Sequence, residues 1–213
     1  MNTPSEGHAV RKYLTLAERR QSILDAALEI LNDAGIDAVT MSNLSTRTGV
    51  SRQIVYTHFH DIDEVLEALF ENVFAEYFLG VEPSDAMLTL QKEQGLLRLE
   101  GILDLPLSVH RLVSAAFFCD AHGRPSLKRI QSSLDQLLER NWIAPLTANG
   151  FQRCAVASSV YTIVAASLEC RDLIDRDMLT LYDAQLQIGR MLDLMLRDPQ
   201  GNLGEVVESG LQD

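Results

Sequence analysis

The chain has 213 residues, 46% of them apolar, and a formal net charge of −12. That length holds one large or two modest domains, and the acidic balance argues against a protein that coats nucleic acid without regard to sequence. No run of 18 apolar residues occurs and no secretory leader is read at the start, so neither a membrane span nor export is expected. The three cysteines, Cys119, Cys154 and Cys170, are odd in number and lack metal-ligand spacing, which fits reduced, buried thiols in the cytoplasm.

In chain order, residues 1–15 are polar without apolar periodicity and read as a flexible arm. Arg11 and Lys12 would either reach a minor groove or belong to a disordered tail. Residues 17–34 then predict a helix, because Ile23, Ala26, Ala27, Ile30, Leu31 and Ala34 recur at i, i+3, i+4 spacing. Gly35 ends it, as a glycine just past a helix does.

Residues 40–59 predict two short helices joined by a tight turn. Thr40 can cap the first by accepting from an orphan backbone N–H. Met41 and Leu44 share one face. Gly49 permits the left-handed backbone that stops a helix, Val50 plugs the turn, and Ser51 can cap the second helix. That helix runs from Arg52 to about Phe59, with Val55 and Phe59 facing the core. Arg52 and Gln53 have the donor geometry for guanine and adenine edges in a major groove. Ser51, Tyr56, Thr57 and His58 can bond phosphates. An ordinary helical hairpin with a polar face is the competing reading. After Phe59, Asp61 and Glu64 form a capping-box pattern that opens a periodic run from Val65 to Tyr77, ending near Leu79.

The residues Ala26-Ala27, Gly35, Thr40, Leu44, Gly49-Val50-Ser51, Val55-Tyr56, His58-Phe59 and Asp63-Glu64-Val65-Leu66 stand in order. With them, residues 17–79 resemble the DNA-binding domain of the TetR family of one-component transcriptional regulators. The resemblance implies an all-α chain divided into an arm (1–15), a helix-turn-helix domain (16–61), a helical effector-binding and dimerisation domain (62–198) and a flexible tail (199–213). It implies a regulator, by family default a repressor, that binds palindromic double-stranded operator DNA as a homodimer and is released by a small-molecule effector, with no cofactor. The expected DNA-contacting residues are Thr40, Ser42, Arg47, Ser51, Arg52, Gln53, Tyr56, Thr57 and His58. Three positions depart from the family pattern: Ile62 replaces a lysine that touches phosphate, Gln53 a common glycine, and Ser45 the usual alanine.

Charge sharpens this picture. Residues 38–60 contain no acid but hold Arg47, Arg52, His58 and His60, whereas residues 1–79 as a whole carry 6 Lys+Arg against 12 Asp+Glu. A small basic stripe in an acidic protein implies few phosphate contacts and a shallow salt dependence, roughly 0.9 in log–log slope per neutralised phosphate.

The remaining chain predicts helices at about 84–103, 106–121, 125–147, 151–173 and 177–197, with Pro106 and Pro125 suited to first-turn positions. The last two are apolar on more than one face and must bury the second face somewhere. The family pattern places such a pair in a four-helix bundle with a symmetry mate, with Ala157, Val160, Val164, Leu181, Ile188, Leu192 and Met195 as interface candidates. The alternative is a central position in a monomer. The resemblance also implies an effector pocket between the middle helices, for which Leu103, His110, Val113, Phe117, Trp142 and Tyr161 are candidates, each equally suited to a packed core. An enzyme is not expected. The clusters Cys119-Asp120-x-His122 and His58-x-His60-Asp61 lack the paired ligands of a zinc site, and no Gly-rich phosphate loop or nucleophile elbow occurs. A helical adaptor that uses the fold without DNA is the remaining alternative.

Overall fold

The computed structural model describes residues 14–77, 101–120 and 122–197, the side chains of 74–77 apart. The expected arm around Arg11 and Lys12, most of the 84–103 helix and the 199–213 tail lie outside the described residues. What is described is helical throughout, an N-terminal cluster packed on a C-terminal bundle.

The N-terminal cluster begins with α1, Leu16–Ala34. Thr15 and Glu18 cap it reciprocally: the Glu18 N–H donates to the Thr15 hydroxyl, and the Thr15 N–H to the Glu18 carboxylate. Two orphan donors of the first turn are thereby satisfied. Ile23, Ala27 and Leu31, all fully buried, form the floor. Gly35, at φ 81°, turns the chain into a short 3-10 segment, Ile36–Ala38. There follow α2, Met41–Thr48, and α3, Arg52–His58, each capped as the sequence indicates. The Thr40 hydroxyl accepts from the Asn43 N–H, and the Ser51 hydroxyl from the Ile54 N–H. Gly49 sits at φ 67°, in the left-handed region. Helix α4, Ile62–Tyr77, leads toward the second half of the chain. At its start the Glu64 N–H donates to Asp61, while the Glu64 carboxylate takes the His60 N–H. The box is therefore displaced by one residue from the usual reciprocal pair.

The C-terminal helices are α5 (Leu107–Phe117), α6 (Pro125–Leu138), a π-helical turn (Glu139–Ile143), α7 (Ala144–Ala148), α8 (Arg153–Asp175) and α9 (Leu181–Arg197). The sequence predicts one helix over 125–147. A proline within that span, Pro145, has no N–H to donate to the preceding turn, and the ladder widens to π geometry just before it.

The two halves are tied at two places. Arg111 on α5 donates to the Leu31 and Asn32 carbonyls at the C-terminal end of α1, where the last carbonyls of a helix lack intrahelical partners; that of Leu31 also accepts from the Gly35 N–H. On the other side, Ser126 donates to Asp63, and Arg129 pairs with Glu67, so α6 grips α4.

Five of the seven expected interface residues are already covered by their own chain. Val160, Val164, Ile188, Leu192 and Met195 are buried within the single chain, where α8 packs on α9. Ala157 is half-buried and Leu181 exposed. The outward apolar side chains of α9 are Leu181, Tyr182, Leu186 and Leu194. Periodicity identified a second apolar face without showing which of the two the chain itself covers. The regular i, i+4 set is the intrachain core, and the sparser set points outward.

Candidate nucleic-acid interface

Helices α2 and α3 owe their mutual orientation to a small number of contacts. Val39, Leu44, Val55 and Phe59 are at most 1% exposed, and both helices pack on α1 and on each other. The turn between them is closed by the Ser45 hydroxyl, which donates to the Val50 carbonyl at 2.7 Å, and by the Val50 N–H, which donates to the Ser45 carbonyl at 3.2 Å. Ser45, a departure from the family pattern, thus fastens the turn, a bond no alanine could make.

The far end of α3 is held by Arg20 of α1. Its guanidinium lies 4.0 Å from the Phe59 ring centroid, donates to the His58 carbonyl at 2.6 Å and reaches Glu64 at 3.4 Å. One side chain therefore caps α3, stacks on its last core residue and touches α4. Sequence reading gave Arg20 no individual role. The signal that could have found its role is the pairing of a first-helix arginine with the aromatic at the end of the second short helix.

With the core face fixed, Ser51, Arg52, Gln53, Tyr56 and Thr57 are exposed, and Thr40, Ser42 and His58 are partly so. The Arg52 guanidinium donates to the Ser42 hydroxyl, which brings two expected contact residues together across the turn. Thr57 donates its hydroxyl back to the Gln53 carbonyl at 2.9 Å, so that proton is used inside the helix. The Thr40 and Ser51 hydroxyls already serve as caps.

Arg47 is placed otherwise than a phosphate contact would need. Its two terminal nitrogens bond Glu29 at 3.2 Å and Asp33 at 2.9 Å, both on α1. The Arg47 hydrogen bond holds the Asp33 carboxyl below its usual range. Both partners are solvent-exposed, so the pairs contribute little to stability, but they neutralise the charge. Ile62 is half-buried against the core, where a lysine would have kept its charge in water. The basic stripe read from residues 38–60 therefore narrows to Arg52 and the two histidines.

The expected pocket residues are mostly core. Leu103, His110 and Val113 are buried. The Phe117 and Tyr161 rings lie 5.9 Å apart, and the Tyr161 hydroxyl donates to Asp135 at 2.7 Å. Trp142 borders a gap of only 10 Å³ with Val160, Ile163, Val164 and Met195. His110 bonds the Leu168 carbonyl at 2.9 Å through Nε2. A carbonyl only accepts, so Nε2 carries the proton and the ring's Nδ1, buried without a partner, is the bare nitrogen. Burial is the main cause holding the His110 pKa below its ordinary value. Among the described residues no group of three or more His, Cys, Asp or Glu could hold a metal ion, and no helix is long and apolar enough to cross a membrane. In the Cys119-Asp120-x-His122 cluster the His122 N–H donates to the Asp120 carboxylate, and of the thiols expected to be buried Cys119 and Cys170 are half-buried and Cys154 is exposed.

Comparison with known proteins agrees with this geometry. Residues 23–69 match the family model described as bacterial regulatory proteins, tetR family. The chain is 25% identical over 129 residues to the HTH-type transcriptional regulator BetI of Proteus mirabilis, covering 58% of this chain and 64% of that protein. It is 36% identical over 58 residues to the class D tetracycline repressor protein of Escherichia coli, 27% of either chain. The match to BetI thus spans less than two thirds of that relative's length. Among solved structures, a TetR-like transcriptional regulator from Rhodococcus sp. RHA1 superimposes with a TM-score of 0.61 at 18% identity, covering 84% of this chain and 96% of that one. Mycobacterium smegmatis BioQ gives a TM-score of 0.57 at 20% identity, covering 84% and 97%. At these identities the structural likeness concerns the fold.

Proposed function

We propose that the chain is a member of the TetR family of bacterial regulatory proteins, whose model matches residues 23–69, and that it is a sequence-specific DNA-binding transcriptional regulator, acting as a repressor. The observation that carries the reading is the exposed face of α3. Arg52, Gln53 and Tyr56 project from a helix whose opposite side is anchored by Val55 and Phe59, inside a window without acidic residues. Arg52 and Gln53 engage base edges, while Ser42, Tyr56 and His58 position the helix on phosphates and sugars.

A second copy of the chain completes the unit, since two α3 helices related by a two-fold axis fit a palindromic site. The face that meets the partner is the outward side of α8 and α9. A groove of about 270 Å³ runs there, lined by small residues of α8 (Ala155, Ser158, Ser159) and by Met191 and Leu194 of α9. Small residues let helices approach closely, and the exposed Leu194 gives the partner an apolar side chain to cover.

A small-molecule effector, apolar or aromatic in character, releases the DNA. It can do so only by binding one arrangement of the dimer more tightly than the other. The ties from Arg111 to the end of α1 and from α6 to α4 are the routes by which a shift of α5 or α6 would reach α3.

A mobility-shift assay of the full chain with DNA upstream of its own gene tests the reading. Specific retention that survives excess unrelated duplex is expected, and it weakens with Arg52→Ala. Retention of every duplex alike, or of none, would favour the adaptor reading instead.

A further inference from the structure

The exposed face of α3 carries one residue that does not fit a polar contact surface. Ile54 is 41% exposed. By contrast Ile23, Ile30, Ile130, Ile143, Ile163 and Ile188 are at most 4% exposed. Nothing in the packing explains it, because α3 is seated through Val55 and Phe59, and isoleucine is a poorer helix former than alanine.

Its surroundings are defined. The Ile54 N–H donates to both the Ser51 carbonyl at 3.0 Å and the Ser51 hydroxyl at 3.4 Å, which fixes it in the first turn of α3. At helical spacing it stands beside Gln53 and three residues before Thr57, so Ile54 and Thr57 form one strip. The Thr57 hydroxyl is turned back to the Gln53 carbonyl. That edge of the helix therefore offers aliphatic carbon where the other edge, Arg52 and Gln53, offers donors.

In a major groove only one natural base edge presents an apolar group, the C5-methyl of thymine. Resting on the regulator reading above, we infer that Ile54 is a specificity-determining residue that packs on a thymine methyl in each half-site, next to the bases bonded by Arg52 and Gln53. The methyl distinguishes thymine from cytosine at that position without any hydrogen bond. Water is displaced from both carbon surfaces, the usual source of such a preference.

The test uses the full chain and an operator obtained by selection from random duplexes. Each thymine is then replaced singly by deoxyuridine, which removes the methyl and leaves every hydrogen-bonding group in place. The wild type is expected to lose about fourfold in affinity at one symmetrically repeated position, the worth of one buried methyl. Ile54→Ala, altered in both protomers, should keep the wild-type unfolding midpoint, lose that factor in each half-site and so roughly 15-fold on the thymine operator, and show no further loss on the deoxyuridine one. A specifically bound duplex in which no deoxyuridine matters overturns the inference, as does an Ile54→Ala variant that keeps the whole deoxyuridine penalty. A chain that selects no duplex at all removes the regulator reading itself, and this inference with it.

Discussion

Leu192 and Leu194 lie two residues apart on α9 and should separate folding from assembly. Leu192 is 0% exposed, packed between α8 and α9, whereas Leu194 is 58% exposed beside the groove. Truncating a fully buried leucine costs about 3 kcal/mol, the transfer of its carbons plus the cavity left behind. For a chain of this size that is roughly 6–12 °C in Tm. Leu192→Ala should therefore melt early by calorimetry yet still sediment as a dimer at low temperature. Leu194→Glu should keep its helical circular dichroism, because an exposed site changes intrinsic stability by only about 0.5 kcal/mol. In the dimer, however, it would bury an unpaired carboxylate against the partner, so it should sediment as a monomer at micromolar concentration. Dimerisation makes apparent stability depend on protein concentration in the wild type, a dependence the monomeric variant should lack. The reasoning fails if Leu194→Glu remains dimeric, or if Leu192→Ala melts with the wild type.

Arg52→Ala should weaken operator binding by about 1–3 kcal/mol in a fluorescence-anisotropy titration, whereas Arg47→Ala, whose charge is already met by Glu29 and Asp33, should leave the salt slope of binding unchanged. Gly49→Ala forces a left-handed φ of 67° on a residue with a Cβ, and should lower stability by about 1–2 kcal/mol in denaturant unfolding. His110 predicts a pH effect. Its folded-state pKa lies below the ordinary value, so the unfolded chain takes up the proton first as pH falls. Its contribution to stability is complete above about pH 6.5 and declines below it. A His110→Gln variant should lose less of its unfolding midpoint than the wild type between pH 7.5 and 5.5, and a parallel decline would refute the assignment.

Much of the N-terminal cluster was legible because its signals are local. Thr40, Gly49 and Ser51 act within four residues of themselves, and each does in the structure what its type and position indicate. The pairing of Arg47 was not legible, since Glu29 and Asp33 lie 18 and 14 positions away in sequence. Only the packing of α2 on α1 brings them together. Which face of α8 and α9 the chain itself covers was not legible for a related reason. A helix apolar on two sides does not say which side its own chain covers, so Val160, Ile188 and Leu192 read equally well as interface or core. Ile54 was passed over because an aliphatic residue in a helix is ordinarily expected inside, and its exposure emerges only once Val55 and Phe59 are seen to fill the space below α3. The widened turn before Pro145 had a sequence signal, the proline itself.

The central claim is that the α3 face of a two-fold dimer reads a particular duplex. Hydroxyl-radical footprinting of the full chain on DNA upstream of its gene tests it most directly. The account predicts two symmetric protected patches, one helical turn or a small multiple apart, both lost with Arg52→Ala under conditions where that variant stays folded and dimeric. Protection at a single unsymmetric patch, or no protection at concentrations that saturate the wild type in a mobility shift, would contradict it.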